Sequence, residues 1–506
     1  MKRNTLLVKL GAKAVKSRTF RDSDLFMDQF IDTLTQLGGV YAKFLQGVLL
    51  GMVYRRSKVV SESQLNVFED NPDPHLSLVD IQTILGRAAG QVKITSTTPL
   101  GVGSYSAVYP ALLHDGTEVV VKLLRPGVKD EIQRDLRFLR QLSRILDFAA
   151  PSKLPMDIGQ MYGSFKKACI KEIDFKSEIT FAGEMYQRYI GHQHIVIPKT
   201  YAELSNDNVI VQERIRGLSG KDILALKNTG QDAEEIVRKQ TGSDLTHILR
   251  VLTYDMMYSF GSGLSFHGDT HPGNVRILPD DKIALIDFGI KADPYSVKAV
   301  SAFVNKLESD ILFMDGDFDL IRILDAHFRL YMAGMYQSID SLFFVIKKDI
   351  SEFFTALAIH LNISTMPVSE DKKLEWLSRG PAYMLTDLLG SSPAEFGIDV
   401  RLDDQTTSRA TSTLFTLLTV LQDGHTRGQT ILKPVYSKVC ERIRSEHSEL
   451  FHSRKHLSPD LALENIYLWL EKVSSKNPEL GYKLRMFMSD MSKKEPAITK
   501  PVELPG

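Results

Sequence analysis

Apolar positions along this chain change their spacing more than once. From about residue 23 to 90 they recur at helical intervals, broken at Gly38-Gly39 and at Asn71-Pro72-Asp73-Pro74. Ser77, with Asp80 three positions on, predicts a capping box that opens a short amphipathic helix through Leu85. The period then shortens to two. Residues 92–99, 107–113 and 118–124 read as strands, and His114-Asp115-Gly116-Thr117 supplies a tight turn between the last two. Helical spacing returns at Ile132, Leu136, Leu139 and Leu142 and continues with interruptions to about residue 190. Strands are expected at 194–197 and 208–214, a long helix at 244–260, and two short strands at 275–278 and 282–286 joined by Pro279-Asp280-Asp281. From Ser296 onward the pattern is helical, with Val297, Val300, Val304, Leu307 and Ile311 at threes and fours. The tail after Met491, with Pro496, Pro501 and Pro505, reads as disordered.

The order is thus helices, a five-strand sheet with an inserted helical block, a mostly helical second lobe and a helical tail, an α+β bilobal pattern. It suggests segments 1–91, 92–217, 218–490 and 491–506.

Composition narrows the function classes. The 506 residues carry 62 basic and 62 acidic side chains, and this zero balance argues against a nucleic-acid binder. Two cysteines, Cys169 and Cys440, exclude a disulfide scaffold and a cysteine-rich zinc site, and fit a reducing compartment. With no run of about 18 apolar residues, a spanning helix is not expected. The charge is unevenly placed: Lys2, Arg3, Lys9, Lys13, Lys16, Arg18 and Arg21 precede the first acidic residue. A solvated basic helix explains residues 1–21 most simply; the functional alternatives are a peripheral contact with an anionic membrane or an organelle-targeting segment. Nothing resembles a secretory signal. The compartments expected are the cytoplasm or an organellar matrix, with or without a peripheral membrane contact.

The sharpest chemical signal is His267-Gly268-Asp269-Thr270-His271-Pro272-Gly273-Asn274, followed by Ile286-Asp287-Phe288-Gly289. Phosphoryl transfer from ATP needs a carboxylate to orient or deprotonate the acceptor, an amide oxygen to help hold Mg²⁺, and a second carboxylate to bridge Mg²⁺ to the phosphates. Asp269, Asn274 and Asp287 supply these at kinase spacing. Upstream, Gly101-Val102-Gly103-Ser104-Tyr105-Ser106-Ala107-Val108 lies between two strands, where glycines let backbone amides approach phosphates, and Ser106 takes the place of a third glycine. By itself this loop is as readily an ordinary hairpin. Its position decides, because Val119-Val120-Val121-Lys122 follows on the next strand, where kinases place the lysine that meets the α and β phosphates.

A lysine in an apolar strand needs a carboxylate partner. Glu172, Asp174 and Glu178 are the candidates, with Glu178 preferred because the other two fall in a motif taken up below. Residues 209–213 read as the strand entering a hinge whose backbone, from Glu213 on, would hold adenine. After Asp287-Phe288-Gly289 the chain runs almost directly into a helix without the Ala-Pro-Glu of peptide kinases, so a small molecule or simple ATP hydrolysis is expected rather than a peptide substrate.

From about residue 30 to 310 these residues resemble the AarF/UbiB (ABC1) family of atypical kinase-like proteins. Gly39-Val40-Tyr41-Ala42-Lys43-Phe44-Leu45-Gln46 is similar to the family's Lys-x-Gly-Gln signature, residues 65–74 to the stretch that follows it, and Glu172-Ile173-Asp174 to its Glu-x-Asp motif. The resemblance implies a bilobal protein-kinase-like fold with helical extensions at both ends, the N-terminal helices packing over the site where a peptide would bind. It implies that Lys43 and Gln46 point toward the nucleotide pocket and meet Glu172 and Asp174. It also implies ATP and Mg²⁺ as cofactors, ATPase or small-molecule kinase activity, and a role supporting isoprenoid-quinone biosynthesis or lipid homeostasis. Partners would then be nucleotide, a lipid or quinone-precursor ligand, and a membrane touched through residues 1–21.

Three departures stand out: Gly101-Val102-Gly103-Ser104 replaces an alanine-rich loop, Leu45 replaces the signature glycine, and Thr270 replaces the proline of Asp-Pro-His-Pro-Gly-Asn. Two other readings share part of the pattern. Small-molecule phosphotransferases of the aminoglycoside or choline kinase type carry a similar Asp269–Asn274 and Asp287 set but lack the Lys43/Gln46 and Glu-x-Asp elements. A pseudokinase scaffold would have no evident need for Asp269.

Overall fold

The computed structural model describes residues 40, 41 and 44, then 78–103, 105–149, 158–292, 300–316, 402–422 and 426–452, with isolated positions beyond these stretches. Residues 1–21, Lys43, Gln46, Ser77, residues 65–74, Ser104 and the tail after Met491 lie outside them. By packing, the chain divides into two compact units, Met1–Tyr295 with Arg401–Val439, and Ser296–Val400 with Cys440–Gly506.

In the first unit, helix α1 (Leu78–Leu85) leads into a five-stranded antiparallel sheet of β1 (Val92–Ile94), β2 (Gly101–Val102), β3 (Ser106–Leu113), β4 (Glu118–Leu124) and β6 (Val209–Glu213). Alternation assigns its two faces. Ala107, Tyr109, Val119, Val121, Leu123, Val209 and Val211 point into one core, roofed by Ile81 and Leu85 of α1. Each fully buried Val or Leu there contributes about 1.5–3 kcal/mol of transfer free energy. The opposite face carries Val108, Lys122 and Ile210, which are register partners in neighbouring strands. The strand expected over 92–99 ends at Ile94, and the glycine loop beyond it forms β2; both pair with β3, β1 at Ala111–Leu113 and β2 at Ala107–Val108.

The helical block consists of α2 (Val128–Ala149), α3 (Ile158–Glu172) and α4 (Phe175–Tyr189). The expected apolar stripe is present, with Ile132, Leu136, Leu139 and Leu142 all buried. Val40 joins Ile132, Leu136, Cys169 and Phe175 in a second core. Tyr41 donates its hydroxyl to Asp135 at 2.9 Å, and Phe44 meets Phe165 edge-on, so this N-terminal turn is seated on α2 and α3.

The residues expected as a strand at 194–197 do form one, β5 (Ile195–Val196), but not in the first sheet. β5 runs parallel to β10 (Lys282–Leu285), which pairs with β9 (Val275–Leu278), and β9 with β7 (Leu218–Ser219). The fifth strand of the first sheet is instead the glycine segment β2. Helices α5 (Gly220–Lys227), α6 (Ala233–Thr241) and α7 (Leu245–Gly261) pack around the second sheet, and β8 (Phe266–His267) pairs with β11 (Lys291–Ala292). Helix α9 (Leu402–Leu421) belongs to this unit. In the second unit, α8 (Val300–Met314) buries Phe303, Val304, Leu307 and Phe313, and its Glu308 takes a bidentate ion pair from Arg444. Both cysteines are buried.

Candidate active site

Strand β4 delivers Lys122 to the face of the sheet turned toward α4. Its ammonium donates to Glu178 Oε1 at 2.8 Å and Oε2 at 3.0 Å, and to Asp287 Oδ1 at 3.1 Å. The Phe175 ring lies 5.5 Å below it. Burial alone would depress the ammonium, but Asp287 and Glu178 outweigh it and raise the lysine above its ordinary value. For Asp287, desolvation pushes up while Lys122 and the Gly289 N–H pull down, and the net direction is downward, toward the carboxylate. Desolvation dominates at Glu178 and raises it despite Lys122.

Asp287 adopts φ +66°, a left-handed backbone that a non-glycine residue holds only when its surroundings impose it. The following Phe288 is buried, edge-on to Phe181 of α4 and to His267. His267 is itself fully buried. Its Nε2 pairs with the Ile286 carbonyl at 3.0 Å and its Nδ1 accepts the Asp269 N–H at 3.1 Å, which fixes one tautomer. Desolvation holds its imidazole below the usual histidine range, so it braces the loop as a neutral ring. His271 accepts the Gly273 N–H at 2.8 Å as an N-cap. Neither histidine is arranged as a metal ligand.

Asn274 donates its amide N–H to the Asp269 carbonyl at 3.1 Å, which commits the nitrogen and leaves Oδ1 as the end available to a cation. The second carboxylate oxygen of Asp287 takes no hydrogen bond among the described residues. An amide oxygen and a carboxylate make a hard donor pair. Among the described residues no group of three or more His, Cys, Asp or Glu side chains could hold a metal ion. Mg²⁺ suits such a site, because it is commonly held by one or two protein oxygens with the remainder from phosphates and water.

A family model described as the ABC1 atypical kinase-like domain matches residues 92–316. Residues 92–316 belong to the AarF/UbiB (ABC1) family. An uncharacterized protein of Synechocystis sp. (slr1919) is 26% identical over 341 residues, covering 63% of this chain and 57% of that protein. A probable protein kinase UbiB of Pseudomonas putida is 28% identical over 250 residues, covering 48% of this chain and 43% of that protein. The chain spans about half the length of these curated relatives. Among solved structures, the complex of Rv3197 with erythromycin from Mycobacterium tuberculosis is 22% identical and covers 60% of this chain and 73% of that one. Its TM-score is 0.38. The fold is α+β and kinase-like.

Within this AarF/UbiB domain the structure brings together Lys122, Glu178 and Asp287, and joins Asp269 to Asn274 through one hydrogen bond. Gly101 and Val102 form β2, and Val108 stands beside Lys122 in the ladder. Three other candidate residues have protein partners of their own. Asp174 caps α4: its carboxylate accepts the Ser177 N–H at 3.1 Å and the Ser177 hydroxyl at 2.7 Å, so it sets the start of the helix that carries Glu178. Glu172 ends α3 and lies close enough to Tyr105 to disfavour its phenolate. The Glu213 N–H is committed to the Lys199 carbonyl at 2.8 Å and the Arg214 N–H to the Glu118 carbonyl at 3.1 Å. Adenine would therefore meet the Glu213 carbonyl or donors beyond Arg214.

Sequence reasoning missed two ties. Lys291 of β11 pairs with Glu184 of α4 at 3.1 Å, linking the strand after Asp287 to the helix of Glu178. Thr413 of α9 accepts the Thr270 N–H. No spacing rule could have flagged it.

Proposed function

We propose that this chain is an ATP- and Mg²⁺-dependent atypical kinase-like enzyme, an ATPase or a kinase of a small molecule or lipid, that supports isoprenoid-quinone biosynthesis or lipid homeostasis. The observation that carries the reading is Lys122 bridging Glu178 and Asp287, with the Ile286 N–H just before Asp287 donating to the Asn274 carbonyl at 3.0 Å. When bound, Mg·ATP supplies the transferable phosphoryl group. Lys122 holds phosphate oxygens and is kept charged and aimed by Glu178. Asn274 and Asp287 would hold the cation, and Asp269 would orient the acceptor hydroxyl or water and accept its proton. The short run from Asp287 to β11, and the lack of an Ala-Pro-Glu triplet after it in the sequence, support a small acceptor or water.

The test is turnover of Mg·ATP by the purified chain, alone and with lipid or phenolic quinone precursors. Asp287→Asn should abolish it, and failure of the wild-type chain to bind Mg·ATP would end this reading. The basic segment 1–21 adds a peripheral membrane contact to the proposal, checked by flotation with anionic and neutral vesicles.

A further inference from the structure

Helix α9 lies outside residues 92–316, yet it reaches the loop that carries Asp269. The Thr270 N–H donates to Thr413 Oγ1 at 3.2 Å, and the Thr413 hydroxyl donates to the Ala410 carbonyl at 3.1 Å. The second bond spends the hydroxyl proton, so the oxygen faces Thr270 as an acceptor. Thr270 is fully buried, which leaves no access for water to replace the bond.

The N–H of Thr270 and the carbonyl of Asp269 belong to one rigid peptide plane. Asn274 donates to that carbonyl at 3.1 Å. The plane is therefore held at both ends, by Asn274 on one side and by α9 on the other. Rotating it would move the Asp269 carboxylate and break the bond that orients the Asn274 amide.

Helix α9 is fixed independently of this contact. Ala410, Leu414, Leu417, Leu418 and Leu421 are buried. Lys227 of α5 donates to the Val420 carbonyl at 2.8 Å, and α9 also packs against β11, just beyond Asp287. We propose that Thr413 is a positioning residue for Asp269 and Asn274, clamping their shared peptide plane from a helix outside the kinase-like domain. This rests on the function proposed above for Asp269 and Asn274.

The experiment compares wild type, Thr413→Val and Thr413→Ser in the full chain, with Thr413→Ala in reserve should valine prevent folding. Two readouts are taken: deuterium exchange in peptides covering residues 266–276, and Mg·ATP turnover. Valine should speed exchange in that segment and lower kcat about tenfold or more with KM for ATP unchanged, and serine should restore both. Exchange unchanged in the valine variant would overturn the clamp. So would a loss shared between kcat and KM, or failure of serine to rescue. If wild type turns over no ATP, the functional reading falls while the exchange comparison still decides the clamp.

Discussion

Two sets of glycines lie in the candidate-site segments, and their surroundings are opposite. A Cβ at Gly101 would meet nothing within 4 Å, and one at Gly103 would make only ordinary contact with Ser106 at 3.5 Å. Neither has positive φ. In the second set, a Cβ at Gly268 would lie 2.5 Å from the Ile290 side chain and 2.8 Å from its carbonyl oxygen, and one at Gly220 would lie 2.7 Å from the Pro272 carbonyl oxygen. The protein's own packing explains the second set. Packing does not explain the first, and the function proposed above would, by bringing phosphates up to the backbone. Stability and nucleotide affinity should therefore separate by location.

The largest effect is expected where the backbone is closest. Gly268→Ala forces the β8 end and the residue after Gly289 apart, an overpacking cost of about 1–3 kcal/mol that lowers the denaturation midpoint. Gly101→Ala should stay within about 0.5 kcal/mol of wild type in the same urea titration. Equal stability of the two variants would erase the contrast.

The next effect runs the other way. Gly101→Ala combined with Gly103→Ala should weaken Mg·ATP binding about tenfold, roughly 1.4 kcal/mol, while the midpoint holds. Calorimetric titration measures it, and unchanged affinity would mean that this loop is an ordinary hairpin.

How much of this was readable in advance follows the same divide. Lys122 and its need for a carboxylate could be read from an apolar strand interrupted by one ammonium, and Glu178 fills that need in the structure. That Asp287 also reaches Lys122 could not be read, because it depends on how two distant strands face each other. The sequence marks residues 194–197 as a strand without naming its partner, and the partner of Ile195–Val196 is β10 of the other sheet, a parallel pairing between segments far apart in sequence. Asp174 also caps α4, a role the reading of the chain left out although a local cue existed: Asp is a favoured N-cap residue, and Ser177 is what Asp174 holds. Thr413 carried no cue, since an isolated Thr in a long helix has no signature of its tertiary partner.

A smaller effect probes the brace under the Asp269 loop. His267 is buried as the neutral ring, with its pKa held below the ordinary 6.5 by desolvation. In the unfolded chain it protonates near that value, so as pH falls through about 6.5 the unfolded state binds more protons and stability drops. The slope from one such group is at most about 1.4 kcal/mol per pH unit. His192 is shifted the same way, so His267→Gln should reduce the slope between pH 7 and 5 rather than remove it. Urea titrations across that range measure it, and an unaltered slope would show that His267 protonates freely in the fold.

The smallest effect has the opposite sign. Thr270 is fully buried, and its Oγ1 has no hydrogen-bond partner among the described residues. An unsatisfied buried hydroxyl costs free energy, whereas an apolar group of the same shape costs little or stabilises. Thr270→Val keeps the N–H that Thr413 accepts and discards only the orphan hydroxyl, so the denaturation midpoint should stay level or rise, by up to about 1 kcal/mol. Thr413→Val makes the same chemical change at the other end of that hydrogen bond and should lower the midpoint, because it strands a buried N–H. Two identical substitutions on facing residues would then move stability in opposite directions. If both lowered it equally, the Thr270 hydroxyl would have a partner, and the loop would be held by both groups rather than by the backbone amide alone.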